Sequence, residues 1–213
     1  LSEIVAGDTI LEVDGLPVFD KSIEEISQLL KGSADSEVKI KKVRFSKVTE
    51  KVLIRKKINI PSVPYYNELN NDIGYIKLTS FTAKASSDVK KAIEDLKNNN
   101  KITKLILDLR GNGGGLLVQA VDIVNFFIPK DRLVVQTKGR MHEINREYKT
   151  RNTPLDLDLP IVVLIDSYSA SASEIVSGCI QDLDRGVVVG ENSFGKGLVQ
   201  QTKDLKFGSK IKL

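Results

Sequence analysis

Lys104-Leu105-Ile106-Leu107-Asp108-Leu109-Arg110-Gly111-Asn112-Gly113-Gly114-Gly115 reads as a short buried strand that runs into a glycine loop, and from Leu117 to Phe127 the apolar residues return at helical spacing. The same succession recurs on both sides. Downstream, Pro160 precedes an apolar strand, Ile161 to Ile165, followed by a serine-rich turn, a helix from about Ala172 to Leu183 and a further strand at Val187 to Val189. Upstream, Ile73 to Leu78 has the make-up of a strand. Ser87 to Lys97 carries Val89, Ala92, Ile93 and Leu96 on one helical face, and Asn98, Asn99 and Asn100 are predicted to end that helix. Strands alternating with helices are the trace of an α/β layer structure, which is the fold class expected here.

Residues 1–58 follow a different pattern. Short β-rich runs at Thr9 to Val13, Glu37 to Val43 and Val52 to Ile54 surround one helical stretch, Ser22 to Leu30. Ser22 with Glu25 forms a capping box, and Gly32 is the predicted stop. The run Ile60-Pro61-Ser62-Val63-Pro64-Tyr65-Tyr66-Asn67 has no periodicity and reads as a linker. The expected division is therefore a β-rich module at 1–58, a linker at 59–72 and an α/β core at 73–213. No internal repeat or low-complexity tract interrupts it.

With 41% hydrophobic and 28% charged residues among 213, the composition is that of an ordinary globular protein and excludes disorder, collagen and a membrane bundle. The net charge is +4, and Lys39, Lys41, Lys42, Arg44, Lys56 and Lys57 lie among acids, which reads as a solvated face and not as a nucleic-acid stripe. There is one His, His142, and one Cys, Cys179, so an intrachain disulfide is impossible and a Cys/His zinc site lacks ligands. His142 sits in a polar stretch with no acid at useful spacing and reads as a surface residue, while Cys179 reads as a packed core thiol. No apolar run reaches the roughly 18 residues of a membrane span, and no signal peptide is visible. The chain opens Leu1-Ser2-Glu3 without an initiator Met and is expected to be a fragment whose targeting signals, if any, have been removed.

Two segments could carry chemistry. Asp166-Ser167-Tyr168-Ser169-Ala170-Ser171-Ala172-Ser173-Glu174 lies where a buried strand turns into a helix, a place that exposes a hydroxyl beside free N–H groups and the positive helix end. Ser171 with Glu174 is also an ordinary capping box, and on this stretch alone that reading takes precedence. Gly190-Glu191-Asn192-Ser193-Phe194-Gly195-Lys196-Gly197 falls one residue short of a phosphate-binding loop, because Gly197 replaces the metal-binding hydroxyl. The helix such a loop needs is also missing, since Leu198 to Thr202 reads as a strand, one that would put Lys196 and Gln200 on the same face.

Together these segments form a set: Ser169 to Ile175, Gln181-Asp182, Val188 to Glu191, Phe194 to Gly197 with Gln200-Gln201, and Asp108 to Gly115. In order and spacing the set resembles the carboxyl-terminal processing peptidases, or tail-specific proteases, a family of Ser/Lys endopeptidases. The likeness covers Tyr75 to Gln201, and Ala6 to Gly15 looks like the second half of a PDZ domain. The resemblance implies a crotonase- or Clp-like spiral β-sheet with helices behind a partial PDZ-like module. It also implies Ser171 as nucleophile, Lys196 as general base 25 residues later, Gln200 orienting the lysine and Asp182 supporting the site. Ser167, Ser169 and Ser173 fail that spacing.

A charged ammonium cannot accept a proton, so this reading requires a dry, close-packed amine, which Phe194, Gly195 and Gly197 would permit. Oxyanion donors are expected from the N–H of Ala172 and from Gly113 or Gly114, a plain flexible turn being the alternative for the glycine run. The family resemblance further implies protein or peptide substrates cut near unstructured, apolar C-terminal tails, with small residues such as Ala or Val at the cut. It implies no cofactor, no nucleotide and no nucleic acid. It points to an extracytoplasmic place, the bacterial periplasm or envelope or the chloroplast lumen, leaves room for a membrane anchor outside this stretch, and is silent on oligomeric state. The alternative reading is a catalytically inactive, tail-binding PDZ-like adaptor. Because the glycine loop that captures a terminal carboxylate has no residues here, and the chain stops at Leu213 inside an apparent sheet, both parts are expected to be truncated and tails to bind poorly.

Overall fold

A computed structural model describes residues 4–57, 61–70, 72–140, 143, 145–200 and 202–212. The chain divides into two units, Leu1–Asn59 and Ile60–Leu213, so Tyr65 to Asn67, expected in a linker, belong to the second.

The first unit is an antiparallel sheet of order β2-β1-β3-β4, built from β1 (Thr9–Val13), β2 (Leu16–Pro17), β3 (Glu37–Arg44) and β4 (Lys47–Ile54), with one helix, α1 (Ile23–Leu30). Val13, Val18, Val38 and Ile40 are its buried centre, and Ile26, Leu29 and Leu30 of α1 pack against it. Ser22 caps α1 through the predicted box, its hydroxyl accepting from the Glu25 N–H and its own N–H donating to Glu25. Gly32 does not end the helix by turning left-handed. Lys31 is extended there, Arg55 donates to the last carbonyls of Leu29 and Leu30, and a Cβ on Gly32 would lie 2.7 Å from the Arg55 guanidinium. β4 begins five residues before the predicted Val52, because its first half is polar and its pairing with β3, not its composition, makes it a strand.

The second unit holds a five-stranded sheet of order β11-β10-β7-β6-β5. β6 (Ile73–Lys77), β7 (Lys104–Asp108), β10 (Ile161–Ile165) and β11 (Val187–Gly190) are parallel, and β5 (Tyr65–Glu68) runs antiparallel at one edge. The prolines of the predicted linker precede an edge strand, where a polar, aromatic run can pair on one side only. α2 (Ala85–Asn100), α3 (Leu117–Asn125) and α4 (Ala172–Asp182) bury their apolar faces with the parallel strands in one core that includes Ile76, Val89, Leu107, Ile123, Val163 and Ile180. α2 continues through the three asparagines and ends at Lys101, which takes up a left-handed φ of 56°. A hairpin of β8 (Leu133–Thr137) and β9 (Arg146–Lys149), not anticipated from sequence, and a small one of β12 (Thr202–Asp204) and β13 (Lys210–Lys212) complete the described strands.

β7 delivers the chain to the glycine run through Asp108, whose side chain is 1% exposed. Its carboxylate accepts from the Arg110 N–H at 2.9 Å, from the guanidinium at 2.8 and 3.0 Å and from the Tyr75 hydroxyl at 2.6 Å, with Lys77 at 3.1 Å. Burial pushes this carboxyl up, but Arg110, Tyr75 and Lys77 outweigh it and hold its pKa well below the carboxylate range. A pKa depressed by folding gives stability that is complete above the unfolded value of about 4 and is lost progressively as pH falls from there through the lower folded value. Asp108→Asn is therefore expected to cost about 2 kcal/mol in urea unfolding at pH 7 and less at pH 3, where the unfolded carboxyl is already mostly protonated; equal losses at both pH values would contradict this account.

Candidate active site

The turn between β10 and α4 is held from both ends. Asp166, just past β10, accepts the N–H groups of Gly111, Tyr168 and Ser169, so one carboxylate joins the glycine loop to the serine turn. The Gly111 N–H foremost, and the other donors with it, prevail over burial and keep the carboxyl below its ordinary pKa. Ser169 and Ser173 are fully buried and already employed: the Ser169 hydroxyl donates to the Leu109 carbonyl at 2.9 Å and that of Ser173 to the Asn112 carbonyl at 2.8 Å. Ser171 differs from both. Its φ is 57° and ψ −112°, whereas a helix cap is normally extended, so Ser171 forms a strained elbow at the head of α4. The capping relation with Glu174 exists as well, the Ser171 N–H donating to Glu174 Oε2 at 2.6 Å.

The glycine run packs directly on this elbow and is not a flexible turn. Asn112, fully buried, donates its amide to the Leu78 carbonyl, while its main-chain carbonyl accepts from the Ala170 N–H at 3.1 Å. Its Oδ1 accepts the Gly114 N–H at 2.9 Å. That bond occupies the Gly114 donor expected to serve an oxyanion, whereas the N–H groups of Gly113 and Ala172 have no acceptor among the described residues. Gly114 has φ 97°, and a Cβ there would lie 2.7 Å from the Ala170 carbonyl and 2.9 Å from both the Ala172 nitrogen and Ser171 Cβ. Gly114→Ala is thus expected to displace the elbow and speed hydrogen exchange at the Ala170 amide at least about tenfold while secondary structure is retained, which exchange measurements beside circular dichroism would check.

Beyond β11, residues 191–200 have no regular structure, so the strand predicted at Leu198 to Thr202 is reduced to β12. Gly190 leaves the sheet at φ 134°, and the following chain pairs with no strand among the described residues. The Phe194 N–H donates to the Ser169 carbonyl at 3.0 Å, and otherwise the segment is held mainly by one side chain. Glu174 Oε1 accepts from the Ser193 hydroxyl at 2.8 Å and the Gly195 N–H at 2.7 Å, and Oε2 accepts from the Lys196 N–H at 3.0 Å besides that of Ser171. Burial acts to raise the Glu174 pKa, but these donors, Ser193 first, hold the carboxyl below its ordinary value. Lys196 Nζ lies 3.5 Å from Gln200 Oε1, the predicted pairing reached without a strand. The dry packing expected around the amine is not present: Lys196 is half-buried and Phe194 is 66% exposed, because the irregular segment turns its aromatic ring outward.

Ser171, Lys196, Gln200, Gly113, Gly114 and Asp182 line one cleft of about 810 Å³; Ala172 does not line it, being buried beneath Gly114. One wall is apolar, with Leu116, Leu117, Val134 and Ile175, and Cys179 lies at its base, its thiol pushed up to about 11 by burial and by the Asp182 charge. His142 and Gln201 lie outside the described residues. Sequence reading missed Glu174 and Asn112 as parts of this site. Glu174 was visible only as a capping acid, and nothing in S-x-x-E shows that the same carboxylate reaches Ser193, Gly195 and Lys196.

A PDZ domain model matches residues 2–44. The carboxy-terminal-processing protease of Bartonella bacilliformis is 36% identical over 202 residues, covering 92% of this chain and 46% of that protein. The chloroplastic C-terminal processing peptidase of Tetradesmus obliquus is 32% identical over 221 residues, covering 97% and 47%. Among solved structures, the photosystem II D1 C-terminal processing protease superposes with a TM-score of 0.62 at 30% identity, covering 99% of this chain and 58% of that one. The chain spans about half the length of the curated relatives it matches. The match to Peptidase family S41 takes in residues 72–213, which include the elbow, the glycine run and the lysine segment, and the chain belongs to that family.

Proposed function

We propose that this chain carries the active site of a serine endopeptidase in which Ser171 is the nucleophile and Lys196 the general base. The observation that carries this is the elbow: of the four serines at the turn, Ser171 alone lines the cleft, at a strained φ, with Lys196 and Gln200 lining the same cleft. In the reaction Lys196 takes the hydroxyl proton as Oγ attacks the scissile carbonyl, and then returns a proton to the leaving amine. Gln200 Oε1 steadies the amine between the two transfers. The N–H groups of Gly113 and Ala172 are the donors for the oxyanion, Gly114 being the spacer whose missing side chain lets the two loops touch. Glu174 is a positioning residue that holds nucleophile and base segments together.

The apolar wall of Leu116, Leu117, Val134 and Ile175 suits unstructured tails with small apolar residues at the cut. Relatives named for C-terminal processing, from a bacterium and from a chloroplast, support a role outside the cytoplasm. No helix among the described residues is long and apolar enough to cross a membrane. The decisive experiment offers an unstructured protein ending in small apolar residues, and a copy ending in acidic ones, to the wild type and to Lys196→Ala. Cleavage of the apolar copy by wild type alone is expected. A fluorophosphonate that fails to label Ser171 would instead favour the non-catalytic adaptor.

A further inference from the structure

Gly178 stands in the interior of α4, where the fold does not call for a glycine. It is not among the residues with a left-handed φ, and a Cβ placed on it would meet no atom of the described residues within 4 Å. On Gly115, Gly186 or Gly190 the same atom would strike the main-chain oxygen of Phe81, Ile161 or Ile165, so there the fold itself requires glycine. Inside a helix glycine is the poorest residue after proline, and alanine is the best. Backbone and packing would both accept alanine at 178, and what the glycine preserves is open space.

That space belongs to the cleft. Ser171, Ile175, Gly178 and Asp182 follow the i, i+4, i+7, i+11 spacing of one helical face, and all four line it. Seven residues of rise put Gly178 about 10 Å beyond Ser171. Beside it the lining is apolar or neutral, with Ile175 one turn before, the buried Cys179 next in sequence and Val134 from β8, which packs on α4. Counting from the Ser171 Cα through the attacking oxygen and the scissile carbonyl, an alanine side chain on the residue that supplies that carbonyl ends after five bonds, at most roughly 6 Å out. Leucine or methionine ends after seven or eight, roughly 9–10 Å out. Only the longer side chains fill the space over Gly178.

Building on Ser171 as the nucleophile, we propose that Gly178 is the specificity-determining residue of this cleft. It keeps open a subsite for the residue that supplies the scissile carbonyl, deep enough for an apolar side chain of leucine or methionine size as well as for a small one. Asp182, one turn beyond Gly178, ends the same stripe, so a lysine side chain is the competing occupant. Asp182 is exposed to water, where an ion pair contributes little, whereas the lining around Gly178 favours apolar burial.

The test uses unstructured peptides that differ in one residue, Ala, Leu, Met or Lys as the supplier of the scissile carbonyl, with the cut mapped by mass spectrometry. kcat/KM is measured for wild type, Gly178→Ala and Gly178→Val. Wild type is expected to cut the Leu and Met peptides at least as fast as the Ala peptide, and the Lys peptide slowest. Gly178→Val should lower the ratio of Leu to Ala at least about tenfold, because its side chain takes the space the substrate needs, and Gly178→Ala should lower it less. Folding supplies a readout separate from catalysis: Gly178→Ala should raise the thermal unfolding midpoint by about 2–4 °C, since alanine suits the helix and meets nothing. An unchanged Leu-to-Ala ratio in Gly178→Val, a Lys peptide cut fastest, or a midpoint lowered by Gly178→Ala would overturn the proposal while leaving Ser171 as nucleophile. No hydrolysis of any peptide, with Ser171 unlabelled by a fluorophosphonate, would remove the nucleophile and this subsite with it.

Discussion

Ser171→Ala and Lys196→Ala are each expected to lower peptide hydrolysis by about 10⁴-fold or more, and the double variant should be no worse than either single one. The reason for non-additivity is chemical. Without the hydroxyl the amine has no proton to take, and without the amine the hydroxyl attacks as a poor, protonated nucleophile. Neither side chain supports the fold: Lys196 is half-buried on an irregular segment, its side-chain bond among the described residues being the 3.5 Å contact with Gln200. Unfolding transitions should therefore stay within about 0.5 kcal/mol of wild type. Gln200→Ala should cost only about tenfold, since water can replace an orienting amide. The measurement is kcat/KM on an unstructured peptide beside a urea melt. A double variant clearly below both singles would mean that the two groups act in separate steps.

Much of this could be read in the sequence, for a definite reason. β7, β10 and α4 are buried segments whose periodicity is imposed by the core itself, so Leu105, Leu107, Val163 and Ile180 announce both the element and its inward face. The spacing of Ser171 and Lys196 was legible through resemblance, not through physics, because the 24 residues between them follow no period. What stayed hidden are features made by pairing across long separations. β5 and the first half of β4 are strands only because β6 and β3 lie beside them. The segment 191–200 failed in the opposite direction: Leu198 and Val199 have β-branched or apolar character, yet no strand edge receives them and both are exposed. The occupied Gly114 donor was equally invisible, because it depends on where the Asn112 side chain points.

Glu174→Gln is expected to lower kcat about 100-fold with little change in KM. Every partner of this carboxylate is a donor: the N–H groups of Ser171, Gly195 and Lys196 and the hydroxyl of Ser193. Only an acceptor without hydrogens satisfies them all, so an amide must turn its NH₂ toward two of them, which removes two bonds and sets donor against donor. The Ser193 hydroxyl can reverse, but the three N–H groups cannot. With the NH₂ in the place of Oε2, both the elbow at Ser171 and the backbone of Lys196 lose their hold; in the place of Oε1, Gly195 loses its bond while the Ser193 hydroxyl reverses. The apolar wall at Leu116, Leu117 and Val134 is built from other elements, so substrate binding should survive while nucleophile and base drift apart. Acid should have the same effect on the wild type. Folding holds the Glu174 pKa low, so the clamp persists through the ordinary glutamate range and is lost only as pH falls through the lowered folded value, whereas Glu174→Gln should show no such acid limb. Glu174→Asp, which keeps the acceptors but is one methylene shorter, should restore part of kcat. Hydrogen exchange supplies the readout independent of catalysis. The amide of Gly195 or that of Lys196, according to which way the new amide faces, should lose protection in Glu174→Gln while those of β7 and β10 keep theirs. Unchanged protection at both amides, or a kcat within threefold of wild type, would show that the lysine segment is held by something other than this carboxylate.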